Sequence, residues 1–451
     1  MFIEHIPHIT PAEAFMRLRG LPMPFIFSSG VSGKTRYSFA GAAPSKIVKA
    51  RYGTTTVTAQ GGGDIATCPD HPMDVISGIL KGYGAQDDGS SRFCGGAAGY
   101  FAYSLKDHGS KNKDQRGGGL ALPDCIAGIY ESVYAYDHKE SKAYIISAKK
   151  DVAQDLINAL KGARAAAPPE MPAVEPAASG YSASITRQGY INAVRKAQDY
   201  ISEGDIYQIN LSQMLTIPWR GDPFALYARL LETCPSAYPS YMDFGDFQLI
   251  SNSPERLLKA EGGWVETEPI KGTRPRGADP EHDRRMIEEL KSSPKERAEH
   301  VMIVDLERND LGMVTAPGTV EVSAFESIET YRGLHHMVST VKGRLRGDIG
   351  PLGCLKAAFP GGSVTGAPKK RAIEIIDELE NIPRGVYTGA IGWAGFCGDM
   401  DMYMAIRTAV YKDGALYLHV GGGIVADSVP EDEYDETILK ARDFLTALSI
   451  G

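Results

Sequence analysis

No CxxC pair occurs in this chain. Its six cysteines, Cys68, Cys94, Cys125, Cys234, Cys354 and Cys397, are scattered singly, so neither a zinc site nor a disulfide framework is suggested, and they read as reduced, mostly packed thiols. Positive charge is also short: 48 Lys+Arg against 56 Asp+Glu leave a formal net charge of -8. That balance argues against nucleic acid as a partner, which normally requires a basic stripe. An anionic ligand must instead be held by local cations, backbone amides or a metal ion. No apolar run is long enough to cross a bilayer, and the opening MFIEHIPHITPAEAF lacks the basic and apolar regions of a secretory signal. The expectation is a cytoplasmic protein without a membrane partner.

Glycine, by contrast, is plentiful, with 50 among 451 residues against a usual share of roughly 7%. Many tight turns and close backbone approaches follow. The sharpest change of composition is the Ala/Pro/Gly-rich stretch at 163–184, which reads as a linker between an N-terminal region, 1–162, and a second region, 185–451. Short apolar runs such as Pro24 to Phe27 and Ala143 to Ile146 predict mainly strands before the linker; strands and amphipathic helices mix after it. Strands do not alternate regularly with helices, so an α+β architecture built on large, mostly antiparallel sheets is expected.

Several segments can carry chemistry. Lys271 lies in PIKGTRPRG, whose prolines and glycines demand a turn or irregular strand end; a lysine held there can be aimed, and Arg274 and Arg276 could help it shed a proton. A solvated loop lysine explains the same residue. Ser293-Pro294 with Glu296 predicts a capped helix running to about Asn309, which sets Glu299 on the face of Met302, Ile303 and Leu306, where a carboxylate needs a cation or metal. From Pro430 a last helix is expected with Tyr434, Ile438, Ala441, Leu445 and Leu448 inward and Glu433, Glu436 and Lys440 in a second row. That row suits Mg²⁺ and an anionic substrate, or a solvated face. The strand Leu416 to Val420 runs into Gly421, Gly422 and Gly423, which could turn amides toward an anion or form a bulge. The glycine-rich segment Phe359 to Pro368 has the glycine spacing of a phosphate loop but not its Lys-Ser/Thr, leaving at most an anion site at a helix start. A strand Asp401 to Tyr411 places Arg407 between Ala405 and Ala409, with room to grip a carboxylate. The strand Asp205 to Gln213 puts Gln208, Asn210 and Ser212 on one face, which solvent explains as well as a ligand does. Glu255 and His336 complete the acid–base candidates.

GDIYQINLSQ, PIKGTRPRG, SPKERAEHVMIVDLERND, HHMVST, FPGGSVTGAPKKRA, RGVYTGAIGW, AIRTAV and GGGIVADSVPEDEYDETILKA occur in this order. The series resembles the chorismate-utilising family of anthranilate, aminodeoxychorismate, isochorismate and salicylate synthases. It is dense from about 190 to 448 and looser before. The resemblance implies a large, mostly antiparallel β-sandwich flanked by helices, with the active site between its sheets. It also implies Mg²⁺ on Glu299 and Glu436 with Glu433 assisting; substrate held by Thr273, Ser363, Thr365, Tyr387, Arg407, Gly421, Gly422, Gly423 and Lys440; and catalysis by Glu255, Lys271 and His336. Anthranilate synthases typically carry alanine where this chain has Lys271, so the likeness favours members that use a lysine to attack ring carbon 2 before ammonia adds at carbon 4. Ser29, Arg36, Tyr37, Ser38, Phe39, Ala237, Tyr238 and Pro239 align with the family's tryptophan pocket. Gly395-Phe396-Cys397-Gly398-Asp399 lacks the second glycine of a glutaminase nucleophile elbow, so ammonia is expected from a separate glutaminase subunit. The competing expectations are anthranilate, isochorismate or salicylate synthesis, or a silent regulator that binds chorismate or tryptophan.

Overall fold

A computed structural model describes residues 1–29, 34–84, 92–109, 119–162, 171–330 and 334–450. Among these residues the strands form two sheets of twelve, with antiparallel neighbours. The main apolar core lies between them, joining Phe25, Phe27 and Phe39 of one sheet to Val48, Tyr100 and Trp393 of the other. Both sheets draw strands from either side of the linker. Phe25–Phe27 lies between Tyr37–Gly41 and Tyr238–Asp243, and Gly96–Phe101 pairs with Ala390–Gly395. Three helices, Pro11–Leu18, Pro72–Lys81 and Lys150–Gly162, accompany the N-terminal strands. Residues 163–170 of the linker lie outside the described residues; the rest of it carries no regular structure before the short strand Ser182–Ala183.

Helix starts follow the local chemistry. The helix Pro294–Gly312 opens where the Ser293 side chain accepts the Glu296 amide, and the last helix spans Pro430–Ala447. Ala372, Ile375 and Ile376 are the buried face of Lys369–Leu379, as their spacing predicts.

Two expectations need correction. The strand expected over 401–411 is two strands, Met400–Met404 in one sheet and Thr408–Lys412 in the other. The chain changes sheet at Ala405 to Arg407, where Arg407 takes a left-handed φ of 49°, so no continuous pleat exists to set its side chain. Gly421 to Gly423, expected beyond a strand end, instead lie within Ala415–Ile424, paired through Asn210↔Gly423 and Ser212↔Gly421 with the strand Gln208–Pro218. Residues without side chains carry no periodicity, which is why the strand seemed to stop at Val420.

One buried ion pair ties these pieces together. Arg384, fully buried, donates to Glu380 (Nη2 to Oε1, 2.7 Å), to the carbonyls of Asn210 (2.7 Å) and Val364 (2.9 Å), and to the Thr388 hydroxyl (3.3 Å). Glu380 also accepts the amide and hydroxyl of Ser212. Removing one member of such a pair strands the other charge, whereas replacing both with apolar groups removes two desolvation costs. Arg384→Ala should therefore lower stability by about 3–5 kcal/mol, and Arg384→Met with Glu380→Leu should recover much of that loss, both read from chemical denaturation midpoints.

Candidate active site

The three glycines of Ala415–Ile424 are where the candidate side chains converge. Along this strand Leu416, Leu418 and Val420 face the last helix, and Gly422 continues that face. A Cβ at Gly422 would stand 3.2 Å from Glu433 Oε2, 3.7 Å from Glu436 Oε1 and 3.7 Å from Lys440 Nζ. On the opposite face a Cβ at Gly421 would lie 2.7 Å from the Tyr387 hydroxyl, and one at Gly423 would lie 3.1 Å from Gln208 Nε2 and 3.2 Å from Lys271 Nζ. Glycine here clears space on both faces of one strand.

Glu255 and Arg407 reach the site because the chain changes sheet at each of them. The strands Gln248–Ser253 and Arg256–Glu261 belong to different sheets, as do the strands flanking Arg407. The two crossings are bonded to each other: the Met404 amide donates to the Glu255 carbonyl (3.0 Å), Ser253 Oγ to the Met404 carbonyl (2.7 Å) and the Asn252 amide to the Arg407 carbonyl (2.9 Å). Glu255 Oε1 accepts the Ser363 hydroxyl at 2.8 Å. Burial raises the Glu255 carboxyl to about 7, against the smaller opposing pulls of Ser363 and Lys271. Near neutral pH it can therefore both give and take a proton.

Lys271 lies on the strand Ile270–Pro275, whose register against Leu334–Arg344 shifts between Lys271 and Thr273. Gly272, at φ 78°, makes this bulge; a Cβ there would strike Leu290 at 2.6 Å and Glu296 Oε2 at 2.7 Å. The Lys271 ammonium pairs with Glu299 at 3.4 Å. Arg274 and Arg276 are bound to Glu296 and Asp283, so the help they were expected to give Lys271 is largely neutralised. Beyond the bulge, Thr273 Oγ1 lies 2.9 Å from His336 Nδ1. Burial, and then the Arg407 charge, lower the His336 imidazole to about 4, so the ring is neutral at physiological pH.

Other candidates have partners within the chain. Arg407 is paired with Asp443 at 3.0 Å. The Thr365 hydroxyl donates to the Gly361 carbonyl at 2.9 Å, within its own loop. Lys440 donates to the Gly421 carbonyl at 2.8 Å and pairs with Glu436 at 2.6 Å. Glu433 is buried and accepts the Ser428 hydroxyl at 2.6 Å. Glu299 sits with Lys271, whereas Glu433 and Glu436 share the helix face of the strand. Among the described residues no group of three His, Cys, Asp or Glu side chains is gathered closely enough to hold a metal ion. The donor chemistry still fits Mg²⁺, which takes one or two carboxylates and completes its shell with water and substrate oxygens.

Gln208 was legible only as part of a polar row. It is 1% exposed, and neither atom of its amide has a partner; Asn210 of the same row is also buried. Solvent therefore does not explain that face. An unpaired buried amide facing the Gly423 opening beside Lys271 is suited to hydrogen-bond a ligand. The only other pointer in the sequence was the alternation of GDIYQINLSQ.

The segments of the expected tryptophan pocket are neighbours. Phe27 pairs with both Phe39 and Ser240, and the Ser28 amide donates to the Pro239 carbonyl. Ser38 receives the Ser29 amide (2.8 Å) and contacts His138 Nε2 (2.7 Å). Arg36, beside Tyr37, is bound to Asp137. Tyr238, next to Ala237, stacks on Tyr403 and donates to Glu268 at 2.7 Å.

Residues 29–446 match the family described as chorismate binding enzyme. The anthranilate synthase component 1 of Acetivibrio thermocellus is 38% identical over 97% of this chain and 92% of its own length. The aminodeoxychorismate synthase component 1 of Bacillus subtilis is 37% identical over 92% of this chain and 90% of its own. The crystal structure of anthranilate synthase component I from Streptococcus pneumoniae superposes with a TM-score of 0.80 at 34% identity, covering 91% of this chain and 92% of that one.

The buried Glu255 carboxyl generates a pH prediction. Its folded value, about 7, lies above the ordinary 4.5, so the folded state binds the extra proton. Stability from this group is full below the ordinary value, falls as pH rises through about 7 and is level above. Glu255→Gln cannot ionise. Compared with wild type, it should gain roughly 3 kcal/mol in relative stability between acid and mildly alkaline solution, as read by denaturation on both sides of neutrality.

Proposed function

The chain belongs to the chorismate-binding enzymes, and within that family we propose that it is the synthase subunit of an aminodeoxychorismate synthase. It would convert chorismate and ammonia, supplied by a partner glutaminase, into 4-amino-4-deoxychorismate, the precursor of para-aminobenzoate. The observation that carries this reading is Lys271 Nζ at the Gly423 opening, beside the unpaired Gln208 amide. Relatives of both names match the chain at similar identity, so the choice between them rests on this amine.

In the proposed reaction the neutral Lys271 amine attacks ring carbon 2. Both double bonds of the ring shift, to carbons 1 and 6 and to carbons 4 and 5, and the carbon 4 hydroxyl leaves as water with the proton that Glu255 holds. Ammonia then adds at carbon 4 while the carbon 2 to nitrogen bond breaks and returns its electrons to Lys271. The proton shed by the new amine restores Glu255, so the sum is chorismate plus ammonia giving aminodeoxychorismate plus water. Ser363 orients the Glu255 carboxyl, and neutral His336 flanks the ring without adding charge. Arg407 and Lys440, with the Tyr387 hydroxyl, supply the groups for the substrate's two carboxylates. Mg²⁺ would be held by Glu299 and Glu436 with Glu433 beside them, and would offset the charge of a substrate carboxylate.

Product analysis from chorismate, Mg²⁺ and ammonium ion should give 4-amino-4-deoxychorismate, and glutamine alone should give none without a partner. Enzyme starved of ammonia should carry a chorismate-derived mass mapped to Lys271. Lys271→Ala should lose that mass and most carbon 4 amination, with any residue drifting toward carbon 2. Anthranilate from the wild type, or isochorismate or salicylate formed regardless of ammonia, would refute the proposal.

Glu299→Ala and Glu436→Ala should each abolish turnover at any Mg²⁺ concentration. Both carboxylates are partly exposed, so stability should shift by no more than about 1 kcal/mol. Parallel turnover and thermal-melting measurements test both halves of that expectation.

A further inference from the structure

The segment Gly395 to Asp399, which has no part in the proposed chemistry, holds one of two cysteines that the fold brings face to face. The strands Gly96–Phe101 and Ala390–Gly395 pair with Ala97 opposite Ala394 and Gly96 opposite Gly395. One step further the Phe396 amide donates to the Gly95 carbonyl at 2.9 Å. There the chain turns back, the Gly398 amide donating to the Gly395 carbonyl at 3.1 Å, and within this turn the Cys397 amide points at Cys94 Sγ from 3.1 Å.

Position 395 confirms how close the sulfurs are. A Cβ at Gly395 would stand 2.9 Å from Cys397 Sγ and 3.4 Å from Cys94 Sγ, so both thiols occupy the space that a side chain there would fill. Both are reduced. Cys94 is buried at 2% exposure, while Cys397 is half-buried and borders a cleft of about 280 Å³ formed with Ser77, Leu80 and Lys81.

We propose that Cys94 and Cys397 are an oxidation site that closes to a cross-strand disulfide when a peroxide enters this cleft. The sulfur of Cys397, the one the cleft reaches, attacks one peroxide oxygen. The O–O bond breaks, Cys397 becomes a sulfenic acid, and the departing hydroxide takes the thiol proton to leave as water. The sulfur of Cys94 then attacks the sulfenic sulfur; the S–O bond breaks, the S–S bond forms, and a second water departs with the Cys94 proton. Two thiols are oxidised by two electrons, and one hydrogen peroxide is reduced to two waters. The bond would fasten the turn at Gly395 to Asp399 onto the neighbouring strand. From that turn the chain runs through Met400–Met404 to Arg407.

The test treats the purified full chain with hydrogen peroxide and follows intact mass. The expected result is loss of two hydrogens, a single Cys94–Cys397 peptide in a non-reducing digest, a higher thermal midpoint, and reversal of all three by dithiothreitol. Cys397→Ala, at a half-buried position that tolerates truncation, should lose the cross-link. Oxygen adducts without a cross-link, a cross-link involving Cys68 or Cys234, an unchanged mass, or the same loss of two hydrogens in Cys397→Ala would each overturn the proposal.

Discussion

The pair between Arg384 and Glu380 is the constraint on which the rest of the site depends. Its atoms fasten three separate stretches: the strand Gln208–Pro218 through Asn210 and Ser212, the glycine-rich loop through Val364, and the turn that carries Tyr387 through Thr388. Each stretch carries a site residue next to the fastened atom. Gln208 is two residues from Asn210, Ser363 precedes Val364, and Tyr387 precedes Thr388. A guanidinium has enough donors to reach all three stretches at once while remaining charged. Burial makes the arrangement costly and also rigid, because no single partner can move without stranding a charge.

Two sheet crossings bring in Glu255 and Arg407. A strand held in one sheet would send its side chains alternately to the core and away from it. At Glu255 and Arg407 the backbone leaves one sheet for the other, so these side chains are freed from the alternation of either strand. The hydrogen bonds among Asn252, Ser253, Glu255, Met404 and Arg407 make the two crossings a single unit. This explains how a carboxyl can be buried enough to rise to about 7 while still being aimed at a site.

How much could be read from sequence followed from how local each signal was. Ser293 and Pro430 declared their helices because capping is decided within a turn, and the face carrying Glu299 followed from spacing; the last helix is turned from expectation, with Glu433, Thr437, Ala441 and Phe444 buried and Tyr434 and Ile438 half-buried. The crossing at Arg407 was not legible, since the apolar residues on both sides of it continue the alternation of a single strand. The glycine strip was misplaced for the opposite reason: with no side chains it shows no alternation. Solvent and a ligand explained the Gln208 row equally well in sequence, because its amide meets Gly423 of the strand Ala415–Ile424, more than 200 residues further along the chain. Long-range pairing decides what a face meets, and one sequence does not state it.

Burial also separates the cations that hold the fold from those that can serve a ligand. Arg384 is completely enclosed with its carboxylate, and Arg256 is nearly so with Asp401. Lys271, Lys440 and Arg407 each have a carboxylate partner as well, but these pairs retain between 18% and 49% of their side-chain exposure. Partly exposed pairs contribute less than enclosed ones, so on the proposed reading an incoming dicarboxylate can replace Asp443 at Arg407, or Glu436 at Lys440, at modest cost. An enclosed pair would resist the same exchange by several kcal/mol. The site is therefore neutralised at rest by internal carboxylates that a substrate can displace, on a frame whose own ion pair cannot be displaced. On the proposed reading, this division lets a chain of net negative charge keep Arg407 and Lys440 in reach of an anionic ligand without leaving them bare.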